Sequence, residues 1–297
     1  MKFMKRTAGR LILFMVALIL TSCGQSAAEV DIAERIEEEE TPVLTWGVKA
    51  DTNLFGFYNV ESGQIEGFDV DIAKALTDEM TDGEGEADFV EVTSKTRIPL
   101  LKNGKIDGIL ATMTITEERE KEVDFSESYF NGGQSLLVPE DSEIDSIDDL
   151  TENDTVLAIK GSNSTQTMRK LAPQVEVLDL ENYSEGFVAL QSGQGDTLTT
   201  DNAILLGMIA TNPDYRLAGE NFTEEPYGVA INKGQENFHK KLEEALETIQ
   251  GNGVYDEIYA KWFGELLPAD APNSASTSTT GVANPDVDEE VESGVEK

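Results

Sequence analysis

The chain has 297 residues, 39% of them apolar, which is enough for two ordinary domains with a substantial core. A formal net charge of −36 excludes nucleic acid and anionic lipid surfaces as natural partners. With one cysteine there is no disulfide framework, and stability must come from core burial.

Lys2, Lys5, Arg6 and Arg10 precede an apolar run from Leu11 to Leu20. Spanning a bilayer takes about 20 apolar residues, so residues 1–22 read as a signal peptide. The run closes in Leu20-Thr21-Ser22-Cys23, which resembles a bacterial lipobox. That resemblance implies a lipid anchor on Cys23, as the first residue of the mature chain, and a place on the extracytoplasmic face of the cell membrane. Residues 23–43 carry one short amphipathic patch and the run Glu37 to Glu40, and they are expected to form an acidic tether.

From there the apolar periodicity alternates between strand and helix. LTWGV (44–48) predicts a strand, FDVDIAKALTDEM (68–80) a helix with Val70, Ile72, Ala73 and Leu76 near one face, and DFVEVT (88–93) a strand. RIPLLKNG follows as a short helix closed by Gly104, then IDGILAT as a strand. A second run holds strands at SLLVP, TVLAIKG (155–161), VEVLDL and TLTTD, with helices over 165–171, 184–192 and 203–210. YGVAINK (227–233) is a further strand, and residues 236–264 predict two helices joined at Gly251 to Gly253. Residues 268–297, rich in Ala, Ser, Thr, Asp and Glu, read as a disordered acidic tail. The pattern predicts an α/β fold of two domains with parallel strands and a ligand cleft at the carboxyl ends of strands.

Enzyme signatures are missing from the sequence. There is no HExxH, GxSxG or P-loop, and the single histidine, His239, sits in a charged helix and reads as solvated. No cofactor or metal is expected. Carboxylates are so abundant, at 58, that a suitably spaced pair carries no information. Cations are rarer, and several fall at strand ends. Lys49 follows the first strand, Arg97 opens a helix after another, Thr112 and Thr114 end a third, and Arg119 lies in the helix after it. Hydroxyls and arginines so placed suit an anion, a carboxylate above all, although a structural salt bridge is the competing reading for each arginine.

The stretches GQIEGFDVDIAKAL, RIPLLKNGKIDGILATMTITEERE-KEVDFSESYF, the GSNSTQ loop and EGFVALQSGQGDTLTTDNAILLG resemble the family 3 extracellular solute-binding proteins, the amino-acid receptors of ABC importers. The likeness runs from Val43 to about Leu267. It implies a two-lobed periplasmic-binding-protein-like fold of type II, with lobe 1 at 44–133 plus 228–267 and lobe 2 at 134–227. The hinge is expected from crossover strands near Ser135 to Val138 and Tyr227 to Ile231. By the same resemblance Thr112, Thr114 and Arg119 clamp the ligand's α-carboxylate and Asp201 meets its ammonium. Ser162, Asn163, Ser164, Tyr183 and Tyr227 line the site, and Arg97 and Lys49 pair with a distal carboxylate. Departures at Gly195 and Thr197 leave the strand before Asp201 weak, and a slip of one residue there would turn Asp201 away.

The reading is thus a receptor that binds glutamate or aspartate between its lobes and delivers it to an ABC permease and its ATPase subunit. Glutamine or another polar amino acid is the first alternative. A cyclohexadienyl dehydratase-like enzyme and an amino-acid sensor are the others.

Overall fold

The computed structural model describes residues 31–264 and 266; the signal peptide, Cys23 and the acidic tail lie outside the described residues. The chain begins with α1 (Ile32–Glu38), β1 (Val43–Val48), β2 (Asp51–Thr52), β3 (Gly56–Asn59), β4 (Gln64–Glu66) and α2 (Phe68–Met80). β5 (Glu86–Glu91), α3 (Arg97–Lys102), β6 (Gly108–Ile109), α4 (Glu117–Glu120) and β7 (Asp124–Phe125) follow. The chain then crosses through β8 (Phe130–Gly132) into β9 (Gln134–Pro139), β10 (Thr155–Ile159), α5 (Ser164–Leu171), β11 (Glu176–Leu180), α6 (Tyr183–Gln191), β12 (Thr197–Asp201), α7 (Asn202–Ile209) and β13 (Tyr215–Ala218). It returns through β14 (Glu225–Tyr227) to β15 (Ala230–Ile231), α8 (Glu236–Gly251) and α9 (Val254–Trp262).

Two five-stranded sheets result, ordered β5-β1-β6-β15-β7 and β11-β10-β12-β9-β13, and each is the centre of one lobe. The expected parallel pairing holds at one side of each sheet, where β1 runs parallel to β5 and β6, and β10 to β11 and β12. The strands beside the crossovers, β9 and β15, pair antiparallel with their neighbours. They enter from the other lobe instead of from a helix on their own, so nothing forces them into the βαβ direction.

The crossover itself differs from the sequence expectation. Ser135 to Val138 lie inside β9, wholly buried in the second sheet. The link between the lobes is the antiparallel pair β8 and β14, in which Phe130 faces Tyr227 and Gly132 faces Glu225. Aromatic packing fixes it there: Phe130 lies 5.1 Å from Phe55, 5.3 Å from Phe263 and stacks on Tyr227 at 5.3 Å. Such ring pairs stabilise beyond their area burial, which makes this stretch a cross-braced strap.

Residues 31–43 also differ from a free tether. Asp31 caps α1 by accepting the amides of Ala33 and Glu34, and Ile32, Ala33 and Ile36 are buried. Ile32 N–H donates to Gln235 Oε1 at 3.0 Å, Lys241 meets Glu37 at 3.1 Å, and Arg35 meets Asp107 at 2.7 Å. The amphipathic patch is therefore a helix docked on α8 of the first lobe. Nor is His239 simply solvated: its Nε2 lies 2.8 Å from the Phe125 carbonyl. If α1 is an integral part of the lobe, Ile36→Ala should lower the unfolding free energy in urea by about 2 kcal/mol. A freely moving tether would give no change.

Candidate functional site

The strand predicted at IDGILAT stops early. β6 ends at Ile109, and Thr112 turns to φ +46, a left-handed conformation that a β-branched residue rarely takes. Two buried charged side chains hold it there. Asp69, in the first turn of α2, accepts the Thr112 N–H at 2.9 Å, and Arg97 Nη1 donates to the carbonyls of Ala111 at 2.6 Å and Thr112 at 3.3 Å. Tyr129 O–H donates to the other oxygen of Asp69 at 2.9 Å. Burial pushes the Asp69 carboxyl up to about 7, and burial with the neighbouring Arg119 charge lowers Arg97 to about 9.

Lys49, at the end of β1, is 1% exposed. Its ammonium donates to Ser94 Oγ at 2.8 Å and lies 4.9 Å from the centroid of the Tyr183 ring, on the opposite lobe. Burial, and next the Arg97 charge, bring its pKa down to about 7. Arg119 is held by Thr116, which caps α4, and by the Thr114 carbonyl, which accepts its Nη1 at 2.7 Å. Its Nη2 reaches across the cleft to the Gly161 carbonyl at 3.3 Å. Lobe meets lobe at this point. Gly161 has φ +82, and a Cβ there would lie 2.6 Å from Lys95 N and Ser94 C. At the opposite rim the Tyr183 N–H donates to Asp51 Oδ2 at 2.7 Å, and Asn53 Nδ2 donates to the Gly207 carbonyl at 3.0 Å.

In the second lobe β12 is not slipped. Thr197 and Thr199 donate their hydroxyls to the carbonyls of Leu137 and Ser135 at 3.0 and 3.1 Å, and so pin the strand to β9 with Asp201 opposite Gln134. A one-residue shift would break both bonds and turn Asp201 to the opposite face of the sheet. Asp201 is 4% exposed, and its Oδ2 accepts the Tyr227 hydroxyl at 2.5 Å, while Oδ1 is buried without a hydrogen-bond partner. Burial, and after it the Glu225 charge, raise its pKa to about 7. Tyr183 O–H lies 3.1 Å from Thr200 Oγ1, and burial pushes its phenol upward, as it does that of Tyr227.

Lys49, Arg97, Arg119, Tyr183, Asp201 and Tyr227 are thus drawn into one buried electrostatic neighbourhood, with Thr112 and Thr114 beside them. The GSNST loop is divided. Ser162 is half-exposed and closes its own turn on the Ile159 carbonyl at 2.7 Å, Asn163 donates to Glu225 at 2.6 Å, and the Ser164 hydroxyl is buried without a partner. Two opposed halves emerge, guanidinium and strand-end hydroxyls on one lobe and a half-satisfied carboxylate on the other. Between them they fit a zwitterion.

The profile of the bacterial extracellular solute-binding proteins, family 3, matches residues 44–265. The chain belongs to this family. Among the relatives of this family 3 protein, an ABC transporter glutamine-binding protein of Bacillus subtilis (strain 168) is 50% identical over 261 residues, 86% of this chain and 96% of the relative. A glutamine-binding protein of Geobacillus stearothermophilus is 53% identical over 218 residues, 73% of this chain and 82% of the relative. A solved structure described as an ancestral arginine-binding protein bound to glutamine is similar with TM-score 0.70 and 41% identity, covering 75% of this chain and 98% of that one.

Sequence reasoning missed Asp51, Asp69, Ser94, Gln134 and Glu225. Asp69 looks like an ordinary acid facing a helix N-terminus, and Glu225 follows Glu224 in what reads as surface charge. The Gly161 contact is testable against a built-in control. Gly193 has a similar φ of +71 with nothing within 4 Å of an added Cβ. Gly161→Ala should weaken solute binding, measured by titration calorimetry, by about tenfold or more, while Gly193→Ala leaves it unchanged.

Proposed function

We propose that this family 3 protein is the receptor of an amino-acid ABC importer and that its ligand is glutamine. The observation that carries the reading is the charge balance of the site. Lys49, Arg97 and Arg119 already have Asp51, Asp69, Asp201, Glu225 and Glu118 acting on them, more acids than cations. A ligand with no net charge adds nothing to that sum, whereas glutamate or aspartate adds a negative charge to a buried site that already has its share. The main expectation from sequence therefore gives way to its alternative. Arg97 Nη1 is engaged by the Ala111 and Thr112 carbonyls, so Arg97 has a structural task whichever ligand binds. The two glutamine-binding relatives at 50% and 53% identity support the same choice.

In this reading Arg119, with Thr112 and Thr114, receives the α-carboxylate on the first lobe. Asp201, steadied by Tyr227, receives the α-ammonium on the second, and Tyr183, Ser162, Asn163 and Ser164 close round the ligand. Lys49 and Arg97 flank the amide end. A ligand held by both lobes favours the closed arrangement by its differential affinity for it. The closed receptor then docks on its permease outside the cytoplasmic membrane, with Cys23 as its lipid anchor.

Calorimetric titration of the purified protein should give glutamine an affinity at least about tenfold above that of glutamate. Tighter binding of glutamate would sink the assignment. Arg119→Ala and Asp201→Ala should each remove most of the binding. The pH dependence separates the two ligands further. Lys49, with its pKa near 7, is cationic below that value and neutral above it. An anionic side chain favours the cation, so glutamate binding should weaken as pH rises from 7 to 9, and glutamine binding should hardly change over that range.

A further inference from the structure

Glu225 lies on the crossover strand β14, two residues before Tyr227, and is 3% exposed. Its Oε1 accepts Gln134 Nε2 at 2.7 Å and Thr223 Oγ1 at 2.9 Å, and its Oε2 accepts Asn163 Nδ2 at 2.6 Å. Three donors on two oxygens form the pattern of a carboxylate rather than of a carboxylic acid. All three donors are neutral. A buried carboxylate held only by neutral donors leaves most of its charge to act on whatever lies next to it.

The Glu225 charge acts on two groups, favouring the Arg119 cation and disfavouring ionisation of Asp201. Glu225 and Tyr227 are two residues apart on β14 and so project to one face of it, where the Tyr227 hydroxyl meets Asp201 Oδ2 at 2.5 Å. Gln134, which donates to Glu225, is also the register partner of Asp201 across the sheet. Asp201 faces Tyr227 and Glu225 from β14, Arg119 from α4, Arg97 from α3 and Tyr183 from α6. Of these, Glu225 disfavours the ionised form while the two arginines and the Tyr227 hydroxyl favour it. Asp201 Oδ1 has no hydrogen bond in this arrangement and awaits a donor.

We infer that Glu225 is a positioning and specificity residue for the ammonium end of the ligand: its fixed charge keeps Asp201 from ionising comfortably until a cationic amine arrives beside it. The inference rests on the proposed contact between Asp201 and an α-ammonium. Its consequence is a proton linkage. Below pH 7 the empty site holds a proton on Asp201, the incoming ammonium displaces it, and affinity falls as the solution is acidified. The proton goes to solvent, and the charge on Asp201 is then matched by the ligand.

Titration calorimetry of glutamine in two buffers of different ionisation enthalpy, from pH 5 to 8, reads both the affinity and the number of protons released. The wild-type protein should release a fraction of a proton near pH 6.5 and lose affinity below about pH 7. Glu225→Gln, which keeps the size and removes the charge, should move that loss downward by about one pH unit, and release fewer protons at pH 6.5. Glu225→Asp keeps the charge and should keep the wild-type midpoint even where affinity drops. If the Gln variant does not fold, Glu225→Met carries the same expectation as an uncharged chain of similar length. A midpoint and proton count unchanged by loss of the charge overturn the inference, provided that Asp201→Asn abolishes binding. Undiminished binding by Asp201→Asn would instead refute the underlying ammonium contact, and the inference with it.

Discussion

The peptide at Thr112 is gripped from both sides, its N–H by Asp69 and its carbonyl by Arg97, and the geometry of the first lobe's binding edge hangs on that grip. Without it a threonine would not stay at φ +46, a conformation costing on the order of 1 kcal/mol or more. The strand would run on past Ile109, and Thr114 would leave its bridge to Tyr227. The buried Arg97 charge also favours the ionised form of Asp69, against the cost of burying it. The acid is braced in turn by Tyr129, whose ring stacks on Phe68 at 6.2 Å. Fold and site are therefore built on the same few side chains.

The division of chemistry between lobes follows from chain topology. Lys49, Arg97 and Arg119 all come from strand ends and helix starts of the first lobe, where an anion is welcomed by cations and strand-end donors together. Asp201 stands at the carboxyl end of β12 in the second. On the proposed reading a zwitterion touches both lobes at once, which would couple recognition to closure. Tyr227 links this arrangement to the hinge. Its hydroxyl serves Asp201 and its ring stacks on Phe130, so a residue in the crossover senses the state of the cleft.

Much of this was legible in the sequence, and for physical reasons. Alternating periodicity carried the α/β pattern of both lobes, because helix and strand periods are local properties of short segments. Long-range partners were not legible. Asp69 is separated from Thr112 by 43 residues and Glu225 from Asn163 by 62, and neither pairing leaves a local mark among 58 acids. The carbonyl contacts of Arg97 were hidden for the same reason: an arginine opening a helix looks alike whether or not it also meets a carbonyl 14 residues away. Of the two expected crossover stretches, Tyr227 does lie in β14, whereas Ser135 to Val138 lie past the crossover in β9, which is as apolar as the strand before it. Residues 31–43 read as a tether because α1 is only seven residues long and most of its neighbours are acids.

The docking of α1 on α8 bears on how the molecule moves. Whatever holds the chain upstream of Asp31 pulls on the first lobe alone, through Ile32, Ile36 and the Arg35 to Asp107 pair. The second lobe is attached to the first by β8 and β14 and by nothing of the amino-terminal segment. If Cys23 anchors the chain as proposed, the first lobe would be the stationary jaw. Under the same proposal the second lobe would be the one free to turn about the aromatic strap.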